Sequence, residues 1–260
     1  LSVDANAGVF YCFGCGEKGG VIKLLAKLTG KDELQALIGA GSDFVTMNTA
    51  ERTDRGDLCD DARDYFYSIG KPSWEVIKHH YMIDKRRISP VVLQKFDVRI
   101  NSSSEYPVIV PIMEGREFKG YVMRRIDVLE PKYLYNEGFL RRSTVFGKLR
   151  QGAVMVVEGS FDLMSAIQFG FKNTCCTLGA SVTNEQIRKI GKGASVVICA
   201  FDNDRAGEEG FYSLRSSLPN VVRLSFPDGV KDVNEMTKKQ FKASLVKLLK
   251  ELRNGSTRRY

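Results

Sequence analysis

Between residues 153 and 226 the chain alternates short apolar runs with amphipathic stretches, and no other feature restricts its fold as much. AVMVV, TCCTL, SVVICAF and VVRLSF are separated by helical patterns over Phe161–Phe169, Asn184–Ile190 and Ala206–Leu218. Strands apolar on both faces belong to parallel sheets covered by helices on either side. An α/β domain follows over 152–238.

Acidic residues mark the ends of these strands. AVMVV runs into Glu158-Gly159-Ser160-Phe161-Asp162, SVVICAF into Asp202-Asn203-Asp204-Arg205-Ala206-Gly207, and VVRLSF is followed by Asp228, Asp232 and Glu235. Ligands of open parallel sheets bind beyond the carboxyl ends of the strands. Carboxylates gathered there, without His or Cys, suit a hard cation such as Mg²⁺ or Mn²⁺, which also binds substrate phosphates. The simpler reading is that each acid caps a helix. Three spaced clusters on one sheet edge favour the metal.

The rest of the chain divides by texture. Residues 1–38 end a small module, with Cys12 and Cys15 in a C-x-x-C turn and a helical pattern over Val21–Leu28; residues 39–57 are polar and read as a linker. Residues 58–151 mix helical patterns, one around Trp74–Tyr81 and one opening at Ser89-Pro90, with strand-like runs at Val98–Ile100, Tyr106–Met113 and Phe118–Met123, the last two joined at Glu114-Gly115-Arg116. A basic amphipathic helix and a tail close the chain over 239–260.

Lys and Arg number 39 against 31 Asp and Glu, for a net charge of +8, which favours an anionic partner. Six cysteines without a scaffold-like spacing point to a reducing compartment. Absence of an apolar run of roughly 18 residues and of an apolar leader excludes a membrane helix and gives a cytoplasmic expectation. The chain opens on Leu rather than Met, which suggests residues removed upstream.

Taken together, the strand with Glu158-Gly159-x-x-Asp162, the strand with Asp202-x-Asp204-x-Ala206-Gly207 and the segment Lys231-Asp232-Val233-Asn234-Glu235 resemble the Toprim domain of topoisomerases and primases. Phe10-Tyr11-Cys12-Phe13-Gly14-Cys15-Gly16, Asp84–Ser89, Gly120–Arg125 and Pro131–Leu134 narrow the resemblance to bacterial and phage DNA primases. The short basic segments and the K-D-V-N-E form lean toward the phage type.

That resemblance implies a Toprim-type α/β sheet preceded by a mixed α+β subdomain and a zinc-ribbon remnant, and an enzyme making short RNA primers on single-stranded DNA from NTPs. It implies Mg²⁺ (or Mn²⁺) held by Glu158, Asp202, Asp204 and Asp232. Asn234 stands where a second Asp is common, leaving one metal or two open. Arg86, Arg124, Arg125, Lys132, Arg141 and Arg142 would hold template and triphosphate, although any one of them alone reads as a solvated surface charge. Cys12 and Cys15 would supply half of a zinc site whose other ligands lie upstream; His79 and His80, on a helical pattern, are not assigned to it. A replicative helicase and a single-strand binding protein are the implied partners. Two alternatives stay open: a non-catalytic recombination mediator pairing zinc with this domain, and another Toprim enzyme, a topoisomerase or nuclease.

Overall fold

The computed structural model describes residues 2–4, 9–11, 18–20, 23, 27, 55–69 and 80–253. Two compact units result, Leu1–Gly56 and Asp57–Tyr260. In the first, β1 (Ser2–Asp4), β2 (Val9–Tyr11) and β3 (Lys18–Gly20) form an antiparallel sheet in that order, with Phe10 buried. Cys12, Cys15, His79 and most of the expected linker lie outside the described residues. Helix α1 (Arg55–Ser68) begins inside the stretch read as linker.

The second unit is built on one nine-stranded mixed sheet. Its first part comprises α2 (Pro90–Lys95), β4 (Arg99–Ile100), β5 (Val108–Glu114), β6 (Glu117–Arg124), β7 (Tyr133–Tyr135) and β8 (Phe146–Gly147). Strands β5 and β6 make a hairpin at Gly115-Arg116, where Gly115 has φ 67°, and pair from Val108↔Arg124 to Glu114↔Glu117. The helical pattern expected around Trp74–Tyr81 lies, up to residue 79, outside the described residues, and a π-helical turn follows at Tyr81–Lys85. Helix α2 starts as expected, with Ser89 in an extended conformation and Pro90 at the first position, where its missing N–H costs nothing.

The α/β part follows as β9 (Gly152–Val157), α3 (Ser160–Phe169), β10 (Thr174–Cys176), α4 (Asn184–Gly191), β11 (Ala194–Cys199), α5 (Arg205–Ser217), β12 (Val221–Arg223) and α6 (Lys238–Arg253). The order β12-β11-β9-β10 is parallel throughout, and β8 then continues the same sheet antiparallel to β10. The sheet thus runs without a break across position 151, where the sequence texture changes.

Side-chain alternation explains why these strands are apolar at every position. Met155 and Val157 of β9 point into a core shared with Leu163 and Met164 of α3 and Phe241 of α6. Val154 and Val156 point the other way, against Ile187 and Ile190 of α4 and Phe211 and Leu214 of α5. Helix α4 is set by a capping box between Thr183 and Gln186, and α3 stops at Gly170 with φ 113°.

Topology then places the site. Strand β9 is followed by β10 on one side of it and neighboured by β11 on the other, while α3 and α5 cover opposite faces. The chain therefore leaves β9 and β11 in opposite directions, which opens a crevice beyond their carboxyl ends. Glu158 and Asp202 stand at its two sides.

Candidate active site

A cleft of about 400 Å³ occupies this position, lined among others by Glu158, Asp162, Asp202, Asp232, Arg86 and Arg141. Its size lies within the range of small-molecule sites. Glu158 follows β9 directly, and its Oε1 accepts the Asp202 N–H at 3.0 Å, tying the first acidic strand end to the second. Burial first and the Asp202 charge second push the Glu158 carboxyl up to about 7.

Asp204 is the N-cap of α5, so the helix-cap reading of this acid holds for one of its oxygens: Oδ1 accepts the Gly207 N–H at 3.0 Å, which also holds the carboxyl below its ordinary range. Oδ2 remains for other partners. Asp202, half-buried, is pushed up by burial and by Asp232. The A-G ending of the motif has a steric cause. A Cβ on Gly207 would lie 2.1 Å from the Asp202 carbonyl oxygen, so only glycine lets α5 start this close to the acidic loop.

The third acidic segment is a tight turn after β12. Asp232 Oδ1 accepts the Glu235 N–H at 2.8 Å, Glu235 Oε2 accepts the Lys231 N–H at 2.8 Å, and the Lys231 carbonyl accepts the Asn203 N–H at 2.7 Å. The last contact fastens this turn to the D-x-D loop. Lys231 Nζ lies 3.5 Å from Asp202 Oδ2 and 3.2 Å from Asp204 Oδ2. An ammonium group thus sits between the two carboxylates.

These donors fit a hard divalent cation. They are all carboxylate oxygens, they raise one another's proton affinity, and a positive group already lies against two of them. Among the described residues no three His, Cys, Asp or Glu side chains are closed around a common point. The set converges on one sheet edge without being drawn into a chelate.

Asp162 is a residue that the strand-end reading passed over as a ligand candidate, although the motif contains it. It lies in the first turn of α3, buried, facing Asp232, and burial followed by that neighbour pushes its carboxyl well up. Asn234 is also buried. Its side-chain amide donates to the Arg86 carbonyl at 2.7 Å and to Ser165 Oγ at 2.8 Å, and its Oδ1 accepts from Arg86 at 3.2 Å.

The six basic residues singled out in the sequence separate into two groups. Arg86 and Arg141 line the cleft. Arg124 stands beside them: its Nε and that of Arg86 donate to the same hydroxyl, Tyr81 Oη, at 3.2 and 2.9 Å, and its guanidinium lies over the cleft-lining Tyr133 ring, 4.4 Å from its centre. Tyr81 was not anticipated, and only its position five residues before Arg86 could have drawn attention to it. Arg125, Lys132 and Arg142 do not line the cleft. The Arg125 guanidinium is gripped by Asp127 at 2.8 and 2.9 Å and by Glu105 at 3.2 Å, Lys132 pairs with Glu130, and Arg142 is exposed. His80 hydrogen-bonds Asp84 on an exposed turn.

Residues 155–237 match the Toprim-like family. Over 97% of its length the chain is 26% identical to the DNA primase of Thermotoga maritima, and over 96% it is 24% identical to that of Clostridium acetobutylicum. The chain is thus similar to bacterial DNA primases along nearly its whole length. It spans 54% and 51% of those two proteins. The solved Aquifex aeolicus primase, comprising zinc-binding and RNA polymerase domains, superposes with a TM-score of 0.60 at 22% identity, covering 94% of this chain and 73% of that one. A DnaG primase catalytic domain solved bound to single-stranded DNA gives 0.58 at 20% identity, covering 76% of this chain and 80% of that one. The α/β architecture expected from the primase resemblance is the one observed. No described helix is long and apolar enough to cross a membrane.

Proposed function

We propose that this chain is the catalytic part of a DNA primase, a nucleotidyltransferase that joins ribonucleotides into a short RNA primer on a single-stranded DNA template. The observation that carries this reading is the cleft in which Glu158, Asp202 and Asp232 face Arg86 and Arg141 at the switch point of the sheet. In the reaction a ribose 3′-hydroxyl attacks the α-phosphate of the next NTP, forming a phosphodiester as pyrophosphate leaves.

Glu158, Asp202, Asp204 and Asp232 would hold Mg²⁺ or Mn²⁺. When bound, the ion supplies charge neutralisation on the phosphate oxygens and lowers the proton affinity of the attacking hydroxyl. The side chains around it supply position. Arg86 presents its planar guanidinium to the triphosphate, Arg124, held to Arg86 through Tyr81 Oη, keeps a second positive group within the same wall, and Arg141, exposed at the cleft, presents its guanidinium to a phosphate of the template strand. Tyr133, with the Arg124 guanidinium over its ring, and Tyr135, stacked on Phe139, also line the cleft and add aromatic surface suited to a base or ribose. Arg142 and Lys132, exposed outside the cleft, suit the sequence-tolerant phosphates of a template strand. Arg125 is committed to Asp127 and Glu105, so we assign it the support of this wall rather than direct contact.

Cys12 and Cys15 fit two of the four thiolate or imidazole ligands of a structural zinc. With its remaining ligands present, that module would take part in choosing the start sequence on the template. A replicative helicase and a single-strand binding protein are the partners such an enzyme would work beside, in the cytoplasm of a bacterium or of a phage host.

The test is a priming assay with the full protein, single-stranded DNA, labelled ribonucleotides and Mg²⁺. A ladder of short RNA, lost in Asp202→Ala and Asp204→Ala, is the expected result. Template degradation without NTPs would instead mark a nuclease, and undiminished DNA binding without synthesis a non-catalytic mediator.

A further inference from the structure

We infer that Lys231 is an internal counter-ion for the catalytic carboxylates, which a divalent cation must displace in order to bind. This inference rests on the reading of Asp202 and Asp204 as metal ligands. Its ammonium lies between Asp202 Oδ2, at 3.5 Å, and Asp204 Oδ2, at 3.2 Å, the oxygens left over once Asp204 Oδ1 has capped α5. An ion bound by both carboxylates would need the same space.

The backbone fixes this placement. Lys231 accepts the Asn203 N–H at 2.7 Å through its carbonyl and donates its own N–H to Glu235 Oε2 at 2.8 Å, so the root of the side chain is anchored to the D-x-D loop. Its tip is free to leave. The Lys231 side chain is 54% exposed, and an ion pair at that exposure is weak, whereas a divalent ion brings twice the charge and takes oxygen lone pairs directly. Displacement therefore asks little of the protein.

Such a counter-ion solves a problem that the fold creates. Glu158, Asp202 and Asp232 line one cleft with Asp204 beside them on the same loop as Asp202, and carboxylates gathered at one sheet edge repel one another unless a positive charge lies among them. Lys231 offsets that repulsion between the two carboxylates until metal arrives, and so helps set the metal concentration at which the site fills. Lys has three donors and no acceptor, so once released its ammonium goes to water or to a phosphate oxygen.

Two measurements on the full protein test this. Mn²⁺ binding followed by electron paramagnetic resonance should be about threefold tighter in Lys231→Met than in wild type, and nearly unchanged in Lys231→Arg, which keeps the charge. Competitive acetylation read by mass spectrometry should show Lys231 becoming several-fold more reactive when Mg²⁺ is added, with the other lysines as internal references. Equal Mn²⁺ affinity in wild type and Lys231→Met, or a Lys231 reactivity that Mg²⁺ does not change, overturns the inference while leaving the metal site standing. Failure of wild type and every variant to bind Mn²⁺ overturns the carboxylate site itself, and the inference with it.

Discussion

The Asn234 backbone N–H donates to Asp162 Oδ1 at 3.0 Å, joining the third acidic segment to the first turn of α3 inside the protein. With the Asn234 amide also donating to the Arg86 carbonyl and Ser165 Oγ, and its Oδ1 accepting from Arg86, this side chain is occupied on both ends. The primase resemblance would place Asp here, and the geometry makes that exchange unfavourable in this chain. Asn234→Asp would remove two donors and bury a charge beside Asp162 and Asp232. A loss of about 2–3 kcal/mol is expected in urea denaturation, with no gain in Mn²⁺ affinity. Unchanged stability with tighter metal binding would make position 234 a ligand.

Glu158 predicts a pH dependence with a definite sign. Its folded-state pKa of about 7 lies above the ordinary value of 4.5, so folding favours the protonated acid. The penalty for ionising it is absent below pH 4.5, grows between 4.5 and 7, and is complete above 7. In chelator, Glu158→Gln should therefore leave stability near wild type at pH 4 and raise it at pH 8 by about 1–2 kcal/mol, after allowing for partial exposure. Thermal melts across this range measure it. A gain that appears only on the acid side would reverse the assignment.

Tyr81 Oη accepts from Arg86 and Arg124 together, and removing it leaves two guanidiniums side by side with no oxygen between them. Tyr81→Phe keeps the buried ring, including its edge contact with Phe161. The fold should survive with a loss of about 1 kcal/mol, while the KM for NTP rises roughly tenfold as the arginines lose their common orientation. Steady-state priming kinetics with kcat and KM resolved would show this split. A fall in kcat at constant KM would place Tyr81 elsewhere in the reaction.

Sequence showed the α/β region well because there the local and tertiary signals coincide. Strands buried on both faces must be apolar at every position, caps such as Thr183 and Asp204 sit where the helices start, and Gly207 marks the approach of α5 to the acidic loop. The mixed region was harder. β7 and β8 are two or three residues long, and β8 exists because β10 and β5 offer it hydrogen bonds, which no local pattern records. The acids were legible since they follow strands. Tyr81 and Asn234 were not, because their roles arise from Arg124 and from Asp162 and Ser165, residues distant in the chain. For the same reason local motifs favoured Arg86, Arg124 and Lys132 among the six basic residues, whereas the two that line the cleft are Arg86 and Arg141.

That division of the arginines has its own measurable consequence. Arg141 is exposed at the cleft, with its guanidinium 5.5 Å from the centre of the Tyr135 ring, and among the described residues it forms no salt bridge. Arg125 is already neutralised by Asp127 and Glu105 and lies over Tyr106. A free guanidinium that contacts a phosphate releases a counterion, and one satisfied within the protein does not. Affinity for single-stranded DNA should fall steeply with salt in the wild type, and Arg141→Ala should flatten the log–log slope by about 0.7. Arg125→Ala should leave the slope unchanged and show its effect as lost thermal stability, since its side chain braces the loop after β6. Fluorescence anisotropy of a labelled oligonucleotide over a salt series reads both. Equal slopes for wild type and Arg141→Ala would remove Arg141 from the template path, and a flattened slope in Arg125→Ala would mean that DNA pulls its guanidinium away from the two acids.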